Sequence, residues 1–398
     1  MLLLTNFKDS LRHTWKYSLL LWLCVWLVGY IGYVVFPIQH EHQGFPWFRE
    51  SGLYYSNTIN NLWDTIFLHR IGTNGYHTIQ DHTGNLDYLF AFFPAVPSII
   101  GVLTIFVGSI FSPMLYSLIC IMSLGAVVRS VSNTIFGESE MWKWFYVVPF
   151  SLFIFVPYTE GIFVLVLLMI LGMLYTQQKP TLATHIILVC LGTLGVLTRS
   201  VTILFSISIF AVGLVYWIRS KRIEDKFFFI NSICVSIGST IGLAVVILVN
   251  QIGSGQWNTF LLVQAYWGRT IGGGRFWDPI SRAISETISG NISFSLLCLV
   301  GFMGVYVIVF FIKPIYIKYA KMYWISLLFS VLITYTTVSQ NTLQSINRYL
   351  FATPVILILV PYVLEAYLPK RFETIVYIVG LLFLLFTAGL FFRHYWVG

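Results

Sequence analysis

Asp64 follows a tryptophan, Trp63, and opens the stretch "DTIFLHRIGTNGY" in a chain where only 10% of residues are charged. A carboxylate at such an apolar boundary is a candidate general base that takes or orients the proton of a hydroxyl. Its plainer reading is a helix N-cap. The other polar residues worth weighing are scattered widely. They are Asp87 in the same loop, Tyr158 and Glu160 in "PYTEGIF", Arg199 in "LTRSVT", Gln264, Trp267 and Arg269 in "QAYWGRT", and Arg348 in "SINRYL". Ionisable groups at helix ends that face a cavity are functional candidates. A belt of snorkelling arginines and interfacial aromatics is the competing account of each one taken singly.

The elements that must hold these residues are set by composition. The chain has 398 residues, 58% hydrophobic and 18% aromatic. Such a balance excludes an ordinary soluble domain and points to an all-α polytopic membrane protein. Apolar runs of about twenty residues recur, each long enough to cross about 30 Å of hydrocarbon as a helix. The run from Tyr17 to Pro37 is too long and too aromatic for a cleaved signal segment, so it reads as a retained anchor. The five cysteines all lie in apolar runs, which predicts no disulfide framework.

All ten lysines fall in six polar breaks, which the positive-inside rule assigns to the cytoplasm. The net charge of +8 therefore needs no nucleic acid. Threading the chain predicts about eleven spans: the anchor, then 114–136, 142–157, 161–176, 182–198, 200–218, 228–250, 292–312, 323–340, 348–367 and 374–392. The whole chain, 1–398, forms one transmembrane domain with two large extracytoplasmic loops, 38–113 and 250–291. One apolar run, Tyr88 to Phe111, breaks the alternation and reads as a helix lying on the outer membrane surface. This arrangement puts every chemistry-bearing residue named above on the lysine-free side.

Five of the eight histidines (His40, His42, His69, His77 and His82) share the first loop with Asp81 and Asp87. Their spacings match no compact metal site, so no cofactor is expected, a divalent metal being the lesser reading. Gly272, Gly273 and Gly274 precede Arg275 without the Lys-Ser/Thr and strand context of a nucleotide loop, which argues against a P-loop.

Five pieces together resemble the PIG-V mannosyltransferase family. They are Trp63-Asp64, Phe67, Leu68, Ile71, Gly75-Tyr76 and Ala91 to Pro97; "PYTEGIF"; "GVLTRSVTI"; "VQAYWGRT"; and "SINRYLFATPVIL". They keep the family's order over residues 60–360, with Gly161, Ser200 and Thr353 departing from its common pattern. The resemblance implies a C-type glycosyltransferase (GT-C) fold with a catalytic aspartate and surface helices in the first outer loop. It also implies a polyprenyl-phosphate-linked sugar donor, with mannose suggested first and another hexose or a pentose as the alternative. On this reading Asp64 is the base of an inverting transfer to a lipid or glycan acceptor. Arg348, then Arg269 and Arg199, meet the donor phosphate. Trp63, Asp87, Tyr158, Glu160, Gln264 and Trp267 hold sugar or acceptor. The partners are the donor, the acceptor and membrane lipids. The setting is a prokaryotic plasma membrane with the active site outside, or alternatively the endoplasmic reticulum with a lumenal site. A lipid or sugar flippase, a non-catalytic envelope-assembly subunit and an oligosaccharide ligase are the competing functions.

Overall fold

The structure is a computed structural model that describes residues 2–36, 64–76, 88–137, 140–148, 151–175, 179–220, 222–267, 277–289, 294–312, 318–340, 343 and 346–393. The described residues are helical, with no strand among them. The helices are α1 (Leu2–Val35), α2 (Asp64–Asn74), α3 (Ala95–Phe136), α4 (Glu160–Tyr175), α5 (Leu182–Thr198), α6 (Val201–Ser220) and α7 (Ile223–Ser254). There follow α8 (Asp278–Ile288), α9 (Phe294–Phe311), α10 (Ala320–Ser339), α11 (Ile346–Phe351), α12 (Val360–Tyr367) and α13 (Lys370–Phe391).

Among the described residues, six helices (α1, α3, α6, α7, α10 and α13) are long and apolar enough to cross a membrane. The apolar helices α4, α5, α9 and the stretch Val355–Tyr367 are shorter. A π-helical turn, Val355–Leu359, runs straight into α12.

The expected span 142–157 is not a continuous helix. Its described residues include a 3-10 turn, Met141–Tyr146, and one α-turn, Leu152–Phe155. The segment lies beside α13: Trp144 meets Tyr377 at 5.6 Å between ring centroids, and Phe153 meets Phe391 at 5.9 Å. Its described apolar side chains are buried, with Met141, Phe145, Tyr146, Ile154 and Phe155 all at 0% exposure. Partly unwound backbone is tolerated at membrane depth when it is buried in protein.

The run expected to be a surface helix is Tyr88 to Phe111. It comprises a 3-10 turn at Tyr88–Ala91 and the first arm of α3. That arm joins the next helix through a bend at Gly108, where φ is 77°. The break thus falls at a residue without Cβ, which adopts this left-handed conformation at no steric cost. Helix α2 lies across the first arm, with Phe67, Leu68 and Ile71 on its buried face. The crossing is close because both helices present glycine: a Cβ on Gly72 would stand 2.6 Å from the Pro97 carbonyl oxygen. Helices α5 and α7 cross in the same manner, where a Cβ on Gly242 would stand 2.7 Å from Thr193 O.

The long helices sort charge to two ends. Lys143, Lys179, Lys321 and Lys370 lie at or beside helix ends on one side of the bundle, and Lys16, within α1, lies near Lys143 there. There, buried Asp225 on α7 pairs with Lys321 of α10. Asp64, Glu160, Arg199 and Arg348 lie at the other side, joined to the first by the full lengths of α4, α5 and α6.

Candidate functional site

Helix α2 begins at Asp64, and two contacts fix its first turn. The Asp64 backbone N–H donates to the Tyr158 hydroxyl at 3.2 Å. The Thr65 hydroxyl donates to the Pro157 carbonyl at 3.4 Å. The first N–H groups of a helix have no partner within it, so the tyrosine hydroxyl fills a need that the helix itself creates. Tyr158 is fully buried, and its own carbonyl accepts from the Tyr116 hydroxyl of α3 at 2.9 Å. The helix dipole favours a carboxylate at this end.

Glu160 opens α4 and is completely buried, at 0% exposure. Arg348 of α11 donates to its Oε1 from Nε at 2.7 Å, and Nη2 of the same guanidinium lies 2.6 Å away. Arg199, the residue that ends α5, brings Nη1 to 2.6 Å from the same oxygen. The Thr159 hydroxyl donates to Oε2 at 3.2 Å. Arg348 also donates from Nη2 to Asp64 Oδ2 at 3.2 Å.

Both guanidinium groups are backed by rings. Arg348 lies 4.6 Å from the Phe153 centroid and 4.9 Å from that of Tyr158. Arg199 lies 4.7 Å from the ring of Tyr349 and 5.8 Å from that of Phe163. Cations over aromatic faces gain from the ring quadrupole, most when desolvated.

The result is a neutral set of two carboxylates and two guanidiniums from four distant segments. Removing four charges from water costs several kcal/mol for each ion, and mutual pairing offsets that cost only while every partner is present. Exposure falls off across the set. Asp64 is 28% exposed, Arg199 12%, Arg348 5% and Glu160 0%. Asp64 is thus the member that reaches the surface, and its Oδ1 accepts no hydrogen bond among the described residues. A carboxylate held through one oxygen, with the second presented outward, is arranged to accept a proton from a bound hydroxyl.

The structure therefore brings together Asp64, Tyr158, Glu160, Arg199 and Arg348. Tyr158 and Glu160, expected to hold sugar or acceptor, are both fully buried beside Asp64. Gln264 lies on the turn Val263–Trp267, where its Nε2 donates to Phe260 O at 3.2 Å. That turn packs near the first loop, with Phe260 and Phe93 at 5.9 Å between ring centroids. Trp63, Asp87, Arg269 and the side chain of Trp267 lie outside the described residues, as do His40, His42, His77, His82 and Asp81. Among the described residues no three His, Cys, Asp or Glu side chains gather as metal ligands.

Three participants carried no sequence signal of their own: Phe153 and Tyr116 in apolar runs, and Thr65; Tyr349 is covered only by the piece "SINRYLFATPVIL", without a role assigned to it. Comparison of the chain with protein families, with curated proteins and with solved structures returns no match.

Proposed function

We propose that this protein is a membrane glycosyltransferase of GT-C type that moves a sugar, mannose first, from a polyprenyl phosphate to a lipid or glycan acceptor. One observation carries the reading: charged residues from four distant segments of a charge-poor chain meet, with Asp64 as their accessible member. The resemblance to the PIG-V family rests on the same residues and supplies the donor class.

In this mechanism the acceptor oxygen attacks the anomeric carbon while the bond from that carbon to the phosphate oxygen breaks. Asp64 takes the hydroxyl proton, and the polyprenyl phosphate leaves with the bonding electrons. A single in-line displacement inverts the anomeric centre. The departing phosphate gains one negative charge, and Arg348 is the cation nearest the base, 3.2 Å from Asp64 Oδ2. Protonation of Asp64 weakens its hold on that guanidinium at the moment the phosphate needs it, which couples proton transfer to leaving-group stabilisation. Glu160 keeps Arg348 and Arg199 in place throughout. Arg199 and Arg269 are the further candidate phosphate ligands, and Trp63 and Trp267 the candidate ring faces for the sugar. The lysine-bearing end of the bundle then faces the cytoplasm, and the reaction takes place outside it.

The test is transfer by purified protein in liposomes, with radiolabelled polyprenyl-phosphate mannose and a lipid extract of the source membrane. A labelled glycolipid or glycan supports the proposal. Donor carried across the bilayer without chemical change would replace it with a flippase.

A further inference from the structure

At the end of the bundle opposite Asp64 there is an open cavity of about 460 Å³. Its polar wall is formed by His13, Lys16, Arg129, Lys143 and Glu140, three cations to one carboxylate. Tyr17, Leu20 and Trp142 complete it. The cavity belongs to a different place from the site above. Arg129 stands thirteen residues along α3 from Tyr116, the contact of Tyr158, which is about 20 Å of helix.

The charges in the cavity are incompletely matched. Glu140 is 58% exposed, and it meets Lys143 at 2.6 Å and Arg129 at 3.9 Å. Pairs so open to solvent are weak. Lys16 rests 5.6 Å over the Trp15 ring.

Depth is marked by the residues of α1 themselves. His13, Trp15 and Lys16 are exposed, and the next exposed positions are apolar: Leu20 at 59%, Leu23 at 50% and Leu27 at 60%. Leu20, Leu23 and Leu27 recur at helical spacing and so form one stripe. Trp and Tyr beside Lys at such a change from charge to hydrocarbon mark the headgroup level of a bilayer. The cavity therefore opens where phosphate groups of lipids lie, and an uninterrupted apolar track leads from it along α1.

We propose that this cavity is a binding site for the phosphate headgroup of an anionic phospholipid, whose acyl chain lies along Leu20, Leu23 and Leu27. Lys16, Arg129 and Lys143 supply the charge, in keeping with basic pockets between helices that hold lipid phosphates. The apolar track commits the site to a lipid rather than a free anion. The inference does not depend on the reaction proposed for Asp64.

The experiment is native mass spectrometry of the purified full chain, titrated with dioleoyl phosphatidylglycerol or dioleoyl phosphatidylcholine. The variants are Lys16→Gln/Lys143→Gln and, as a control lysine at the same end, Lys179→Gln. The expected result is at least fivefold greater retention of phosphatidylglycerol by the parent and by Lys179→Gln, falling to the phosphatidylcholine level in the double variant. Equal retention of the two lipids by the parent, or undiminished phosphatidylglycerol binding by the double variant, would overturn the proposal. So would displacement of the bound lipid by equimolar inorganic phosphate, which would make this a plain anion site. If the double variant does not fold, Lys16→Gln alone decides: Lys16 is exposed, and at least a twofold loss of retention is expected.

Discussion

Glu160→Gln isolates the electrostatic logic of the charged cluster. The amide keeps the shape of the side chain and one acceptor oxygen but removes the charge that faces Arg199 and Arg348, each 2.6 Å from Oε1. Asp64 is then the one carboxylate of the set, and it pairs with Arg348, which is 5% exposed, while Arg199 loses the carboxylate it pairs with. Leaving a buried charge without its partner costs about 3–5 kcal/mol. With an unfolding entropy of about 2.1 cal/mol/K per residue, a chain of this length would lose about 4–6 °C in its midpoint. The assay is thermal unfolding in detergent, followed by intrinsic fluorescence. The discriminating measurement is the cycle with Arg199→Gln. The double variant restores neutrality with one pair, Asp64 and Arg348, so it should be more stable than the sum of the single losses by about 1–3 kcal/mol. Strict additivity would refute the claim that the four charges act as one unit.

Tyr158→Phe removes the hydroxyl that accepts from the Asp64 N–H, and with it about 1 kcal/mol of stability. Sugar transfer should fall more than the midpoint does, since the loss loosens the helix start that aims the base; unchanged transfer would show that the bond does not position Asp64. Gly72→Ala places a Cβ 2.6 Å from Pro97 O, so α2 must shift on α3, at a cost of about 1–3 kcal/mol seen in the same unfolding assay. His69 has its pKa lowered by burial, against a smaller opposing effect of a backbone hydrogen bond at Ser109. A histidine kept neutral by the fold takes up more protons when unfolded, so its contribution to stability is lost as pH falls through its ordinary value of about 6.5. The midpoint of the parent should therefore drop relative to that of His69→Gln between pH 7.5 and 5.5; parallel curves would contradict this.

Helical segments could be read from the apolar runs, because backbone in hydrocarbon must satisfy its own hydrogen bonds. What hydropathy could not separate is a helix facing lipid from a segment buried in protein. The stretch from Met141 to Phe155 is as apolar as its neighbours, yet its described apolar side chains are buried and its described backbone holds only a 3-10 turn and one α-turn. The bend in α3 had one local cue, Gly108, hidden among glycines that serve close helix contacts instead, such as Gly72 and Gly101. Within the charged cluster, Asp64, Glu160, Arg199 and Arg348 stood out because charge is scarce and costly in such a chain. Their division of labour was not legible. Only the fold shows that Glu160 is enclosed while Asp64 reaches the surface. Phe153 under Arg348 was invisible, since aromatic residues make up 18% of the chain and give no contrast.

The most direct test of the central claim is the rate of sugar transfer from polyprenyl-phosphate mannose by Asp64→Asn beside the parent, in liposomes at matched protein amount. Asparagine keeps an acceptor oxygen for Arg348 but does not take up the hydroxyl proton. A general base contributes about 10² to 10⁴ in rate, so transfer should fall by at least 10² with folding intact. Transfer by Asp64→Asn at the parental rate would remove Asp64 from the chemistry and, with it, the mechanism built on this cluster.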